Sequence, residues 1–266
     1  MSDFPPPSQD PSGYSNYPRD IYGGGDPNNP YQRPPGVYFD SFSQAWKIAQ
    51  LNLGTWVLAT LVSLFLPYIC YIPINFGLNV AIYGSIMGPT AFDMKTFVFS
   101  ILIGLIPGQV FYIFHTGLLC MGVKQARGEV VVLGDLFIGF RRFGSILLAG
   151  VISTIVIYTG LILLLVPGLF VIGLLGFYPI IIIEKNLSPL DALKEVYGKI
   201  GSQAWAIFAF MFVGGLMETV SACCCLVPLL FTTPIYIIGM GLTYNNFFPR
   251  PRTEFAYQPI GVEPPR

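Results

Sequence analysis

The sequence predicts an all-α fold: a polytopic membrane bundle of about six transmembrane helices, with amphipathic interfacial helices and a disordered N-terminal tail. Three observations predict it. Residues 48–92, 96–123 and 143–183 contain no Asp, Glu, Lys or Arg, and 200–249 contains one, Glu218. Hydrophobic residues make up 53% of the chain and charged residues 11%, against about a quarter charged in soluble domains. The basic residues also cluster in alternate gaps: Lys124, Arg127, Arg141 and Arg142, then Lys185, Lys194 and Lys199, then Arg250 and Arg252.

A spanning helix needs roughly 20 apolar residues. The stretch 143–183 divides at Val166, Pro167 and Gly168, and 200–249 divides near Cys225 to Pro228, since Pro and Gly inside a long apolar run mark a tight hairpin. This predicts spans near 145–165, 168–184, 203–222 and 228–246. Residues 97–123 supply another, with a kink or shortening expected at Ile106, Pro107 and Gly108. Residues 48–92 are long enough for two.

Charge parity decides between one and two. Lys and Arg accumulate in cytoplasmic loops. With one span near 51–72, every basic residue from Lys47 onward except Lys95 falls on the cytoplasmic side. With two, Lys47 and Lys95 part company with all the others. One span is therefore expected, followed by an apolar excursion over 73–92 at the outer interface, with both termini cytoplasmic. The first forty residues lack a basic-then-apolar signal peptide pattern, so the first span is expected to serve as its own insertion signal.

Residues 1–40 carry Pro5 to Pro7, Gly23 to Gly25 and tyrosines at 14, 17, 22, 31 and 38. Too few aliphatic side chains are present to offset chain entropy, which predicts a disordered cytoplasmic tail. Such a tail serves either as a docking segment for a protein partner or as a solubilising extension. The expected membrane domain covers 41–247, and 248–266 forms a shorter tail.

Three segments inside that domain look alike. Ser41 to Trp46 leads into the first span, Gly134 to Gly144 into the third, and Ser188 to Gly201 into the fifth. Each is a short lead-in followed by a hydrophobic hairpin. In the third, Ser188 is a good N-cap, Pro189 fits the first helical position and Asp191 the acidic first turn. Leu190, Leu193, Val196, Tyr197 and Ile200 recur at helical spacing, as expected of a helix lying in the headgroup plane. Arg141, Arg142, Lys194 and Lys199 are the candidate contacts to anionic lipid headgroups, although a purely topological anchor needs no such binding and the clusters are small.

Gly122 to Glu129 (GVKQARGE), Asp135 to Phe143 (DLFIGFRRF), Phe177 to Glu184 (FYPIIIIE) and Ser188 to Lys194 (SPLDALK) together resemble a broad group of bacterial integral membrane proteins of unknown function. They are also similar to the membrane domain of some glycerophosphodiester phosphodiesterases. The likeness covers about 41–247 and implies a six-helix fold in the bacterial cytoplasmic (inner) membrane. It implies no activity: the phosphodiesterase barrel needs about 250 residues, and no stretch outside the spans can hold it.

Ionisable groups inside a bilayer are expensive and suggest function by default. Two fall inside predicted spans, His115 and Glu218. The competing structural readings are an interhelical hydrogen bond for His115 and a solvated interfacial carboxylate for Glu218. No proton relay of acids and histidines crosses the membrane. Cys70, Cys120, Cys223, Cys224 and Cys225 lack metal or redox spacing; the run Cys223 to Cys225 reads as small packing residues at a helix end, with a disulfide or a lipid-modified thiol as alternatives. A single histidine excludes a two-histidine metal site, and no catalytic or dinucleotide fingerprint occurs. Zero formal net charge offers no basic field for nucleic acid. The sequence therefore predicts a non-enzymatic protein without cofactor whose partners are the bilayer, anionic lipids and a protein docked on the tail. Its first reading is a scaffold, assembly or membrane-organising role. The alternative is a transporter or lipid-handling protein with a site inside the bundle, and the two differ in whether polar groups converge within the apolar interior.

Overall fold

The computed structural model describes residues 35–84, 94–163, 165–224 and 226–249, which are helical throughout apart from short turns. The expectations for residues 1–34, 85–93 and 250–266 lie outside the described residues. In chain order the helices are α1 (Ser41–Leu51), α2 (Leu53–Tyr83), α3 (Met94–Ala126), a 3-10 helix (Leu133–Arg142), α4 (Phe143–Leu163), α5 (Leu165–Leu175), α6 (Tyr178–Glu184), α7 (Pro189–Ile200), α8 (Ala204–Cys224) and α9 (Leu226–Phe247). Five stretches among the described residues are long and apolar enough to cross a membrane: Leu53–Ala81, Leu133–Gly160, Val166–Glu184, Pro189–Cys224 and Val227–Phe247.

The expected hairpins fall where Pro and Gly predict them, between α4 and α5 and between α8 and α9. Two details differ. The excursion expected over 73–92 is, as far as Tyr83, the continuation of α2: a single helix of 31 residues runs through Pro67 and Pro73 and ends at Gly84 in the left-handed conformation. Its apolar composition favours helix over a surface-lying loop, and one helix here agrees with the odd crossing that charge parity requires. The helix α3 likewise runs through Pro107 without interruption.

The three lead-ins exist, in the order lead-in, outgoing helix, return helix, repeated three times. The first unit is α1, α2 and α3. The second is the 3-10 helix, α4 and α5 with α6. The third is α7, α8 and α9. Each lead-in packs on the return helix of the unit before it: the 3-10 helix on α3, α7 on α5 and α6, and α1 on α9. The units thus close on themselves as a ring, with α2 meeting α9 at the seam. Return helices form the centre, since 61% of the most apolar 18 residues of the α9 stretch and 56% of those of the α5–α6 stretch are buried, against 18% for those of the α2 stretch and 22% for those of the stretches containing α4 and α8. The outgoing helices carry outward apolar stripes, such as Phe212, Leu216 and Val220 on α8 and Phe65, Ile69 and Ile72 on α2. Contiguous apolar surface on this scale suits acyl chains and not water. The structure is that of a multi-pass membrane protein.

The second lead-in is a 3-10 helix and not the α-helical lead-in that its neighbours form. At three residues per turn, side chains three apart line up. Leu136 and Gly139 are buried against α3, while Phe137, Phe140 and Phe143 point outward. A β-carbon on Gly117 would run into the Leu136 carbonyl, so the backbones touch there. The third lead-in begins as predicted: the Ser188 hydroxyl accepts the Asp191 N–H at 3.3 Å, and Pro189 opens α7. Its apolar positions divide between two faces. Ala192, Val196 and Ile200 are buried in the protein, whereas Leu190 and Tyr197 are both 63% exposed.

Contacts with the bundle begin before residue 41. Asn246 donates a hydrogen bond to the Gly36 carbonyl at 3.2 Å, and the Phe39 ring lies 5.9 Å from that of Phe210. They also reach past 247, since Phe248 is buried and stacks on Tyr244.

Candidate ligand cavity within the bundle

Polar side chains gather in two places, a clasp at one end of the bundle and a cavity within it. The clasp collects the residues of the GVKQARGE segment at the end of α3. Arg127 is ion-paired with Glu184 at the end of α6, the two side chains being only 12% and 8% exposed. Tyr244 of α9 donates its hydroxyl to the other Glu184 oxygen, and Arg127 Nε donates to Asn245 at 2.8 Å. One carboxylate therefore joins the three return helices. Lys124 holds both oxygens of Asp135 at 2.8 and 2.7 Å, which secures the 3-10 helix to α3. Fully buried Gln125 lies 3.4 Å from Trp56 Nε1 and from Asn52 Nδ2, tying α3 to the start of α2.

Of the candidate lipid contacts, Arg142 is turned into the protein, donating to the carbonyls of Ile182 at 3.2 Å and Leu187 at 3.0 Å. These hydrogen bonds hold the turn between α6 and α7. Arg141 is exposed. Lys194 lies 3.9 Å from Asp191 on the open face of α7, and Lys199 sits 5.9 Å from the Phe248 ring. The four do not form one cluster.

The second gathering starts where α3 and α9 cross. Gly122 and Gly241 let the two backbones meet: a β-carbon on either would strike a carbonyl oxygen of the opposite helix. On the side of this crossing away from the clasp lies a cavity of about 500 Å³. Helix α2 lines it with Thr60, Ser63 and Leu64. Helix α3 contributes residues from Gly108 to Leu118, α9 contributes Leu229, Thr233 and Ile237, and α8 contributes Glu218. His115 is exposed to this space. The two intramembrane ionisable residues singled out in the sequence thus line one cavity, together with Thr233. The Thr60 hydroxyl is fully buried with no partner in the protein. Ser63 donates to the Thr60 carbonyl at 2.9 Å, which leaves its oxygen lone pairs free to accept.

Sequence reasoning missed Thr60, Ser63 and Thr233. Short hydroxyl side chains are common in apolar helices, where they bond the carbonyl one turn back, as Thr116, Thr219 and Ser221 do here. A signal was nevertheless available. Pro67 lies four residues after Ser63, and Pro234 directly follows Thr233, so each wall helix lacks one backbone N–H donor there. Among the described cysteines, Cys120 is buried, whereas Cys223 and Cys224, expected to pack at a helix end, are exposed at the end of α8. Among the described residues, no three His, Cys, Asp or Glu side chains come together in a way that could hold a metal ion.

Comparison with protein-family models, with curated proteins and with solved structures finds no match.

Proposed function

We propose that this chain is a six-crossing protein of the bacterial cytoplasmic membrane, with both termini in the cytoplasm, that takes an amphipathic small molecule or lipid into its bundle cavity. The sixth crossing is α3, whose residues 96–123 are uncharged. The clasp end is the cytoplasmic end, because Lys124, Arg127, Arg142 and Lys185 collect there, as the positive-inside bias requires.

The cavity carries the functional reading. A scaffold needs only a packed apolar interior, whereas a ligand-handling protein needs polar groups converging within the apolar bundle. His115, Glu218 and the unpartnered Thr60 hydroxyl converge. The volume of about 500 Å³ lies inside the range of about 300–1,000 Å³ usual for small-molecule sites. Prolines inside α2 and α9, close to the cavity lining, each remove one N–H donor from an otherwise continuous helix.

A long-chain alcohol bearing a diazirine tests the reading. In the purified protein it should label residues 108–118 and 229–237 saturably, and excess unlabelled alcohol should remove that label. Ser63→Trp, which fills the space, should lower cavity labelling about tenfold without lowering the unfolding temperature. Labelling spread evenly over the outward stripe of Phe212, Leu216 and Val220, with none that saturates, would favour the scaffold role instead.

A further inference from the structure

We propose that the cavity selects an organic ammonium group, the charged nitrogen of an amphipathic amine, and seats it on Glu218. The proposal rests on the ligand-handling reading above and names its ligand class. Its basis is the balance of acceptors over donors. Among the described lining residues, Glu218 is the sole acidic one, and none is Lys or Arg. The other side-chain oxygens of that lining are the hydroxyls of Thr60, Ser63, Tyr112 and Thr233. Pro67 withdraws the N–H that would bond the Ser63 carbonyl, and Pro234 does the same to that of Leu230. A carboxylate lining an apolar cavity stays ionised only when a cation or several donors face it. A ligand with three N–H donors and one positive charge supplies both.

The remaining surface fits the rest of such a molecule. Phe111 and Phe114 line the cavity and offer apolar area to a hydrocarbon chain. The space is far larger than a bare metal ion needs, which points to an organic cation. The wall helices α2 and α8 each pack on α9 and not closely on one another, so a chain can extend between them. His115 stands on α3 across from Glu218 and provides a second polar contact for a group near the amine.

The test uses the full chain in dodecylmaltoside and two matched diazirine probes, dodecylamine and dodecanol. The amine should label residues 108–118 and 229–237 with half-saturation at a concentration at least tenfold lower than the alcohol. Glu218→Gln should abolish that tenfold preference while alcohol labelling persists, showing that the cavity is intact. Glu218→Asp should retain most of it. Equal affinity for amine and alcohol in the unaltered protein would overturn the ammonium proposal and leave the cavity reading standing. Absence of saturable labelling by either probe would overturn both. Competition by phosphatidylethanolamine but not by its N-acetylated form would support the proposal with a lipid headgroup as the source. Competition by dodecylamine alone would support it with a free amine.

Discussion

Arg127 and Glu184, at the ends of two return helices, form an ion pair buried at the charged end of the bundle, and Tyr244 of the third return helix completes it. Cations clustered at that end therefore bind the units together.

This relationship predicts a strong asymmetry between breaking and replacing the pair. Removing one partner strands a buried charge, which costs about 3–5 kcal/mol. Arg127→Met or Glu184→Leu alone should lower stability by about that amount in thermal unfolding of the detergent-solubilised protein. The double substitution should cost clearly less than the sum of the two. Additive losses would mean that the residues do not interact.

The α3–α9 crossing makes a prediction about glycine. Gly122 and Gly241 each face a carbonyl of the opposite helix, whereas Gly54 and Gly134 have nothing within 4 Å of an added β-carbon. Gly122→Ala should cost at least the 1–3 kcal/mol typical of overpacking, read as a drop in unfolding temperature. Gly134→Ala should leave that temperature within a degree or two.

The two faces of α7 should separate in the same way. Val196→Ser places a hydroxyl in the protein interior and should destabilise the fold by about 1–3 kcal/mol. Leu190→Ser with Tyr197→Ser should leave the fold intact in detergent but weaken the binding of a 186–202 peptide to vesicles, because these side chains are the outward apolar contacts. Replacing Lys194 and Lys199 with Gln should change peptide binding little. A strong, salt-sensitive loss on the lysine changes would instead identify α7 as an anionic-lipid site.

Much of the fold was legible because the bilayer imposes simple rules. Pro167 and Pro228 mark the hairpins, the uncharged runs mark the long helices, and Ser188 with Pro189 marks the start of α7. The clasp was not legible. Arg127, Arg142 and Glu184 look like loop charges in sequence, and only the cyclic packing of the three units brings them onto one another. The 3-10 lead-in hid for a local reason: Phe137, Phe140 and Phe143 at spacing three suit either helix type until the contact of Gly117 with Leu136 selects the tighter one. His115 and Glu218 were legible as candidates, because charge in an apolar run is conspicuous. Their place in one cavity depends on how the helices pack around the crossing at Gly122 and Gly241, and the hydroxyls that line it with them carry no charge to betray them.

The central claim is that the bundle holds an accessible polar cavity on the side of the crossing away from the cytoplasm, and cysteine accessibility tests it most directly. In a chain whose native cysteines are replaced by Ser, Thr233→Cys should react with a membrane-impermeant methanethiosulfonate added to the periplasmic side of spheroplasts. Leu119→Cys, fully packed near the crossing, should not react. Dodecylamine should slow the reaction at position 233 several-fold. Equal resistance at both positions would contradict the account, as would labelling at 233 from the cytoplasmic side alone.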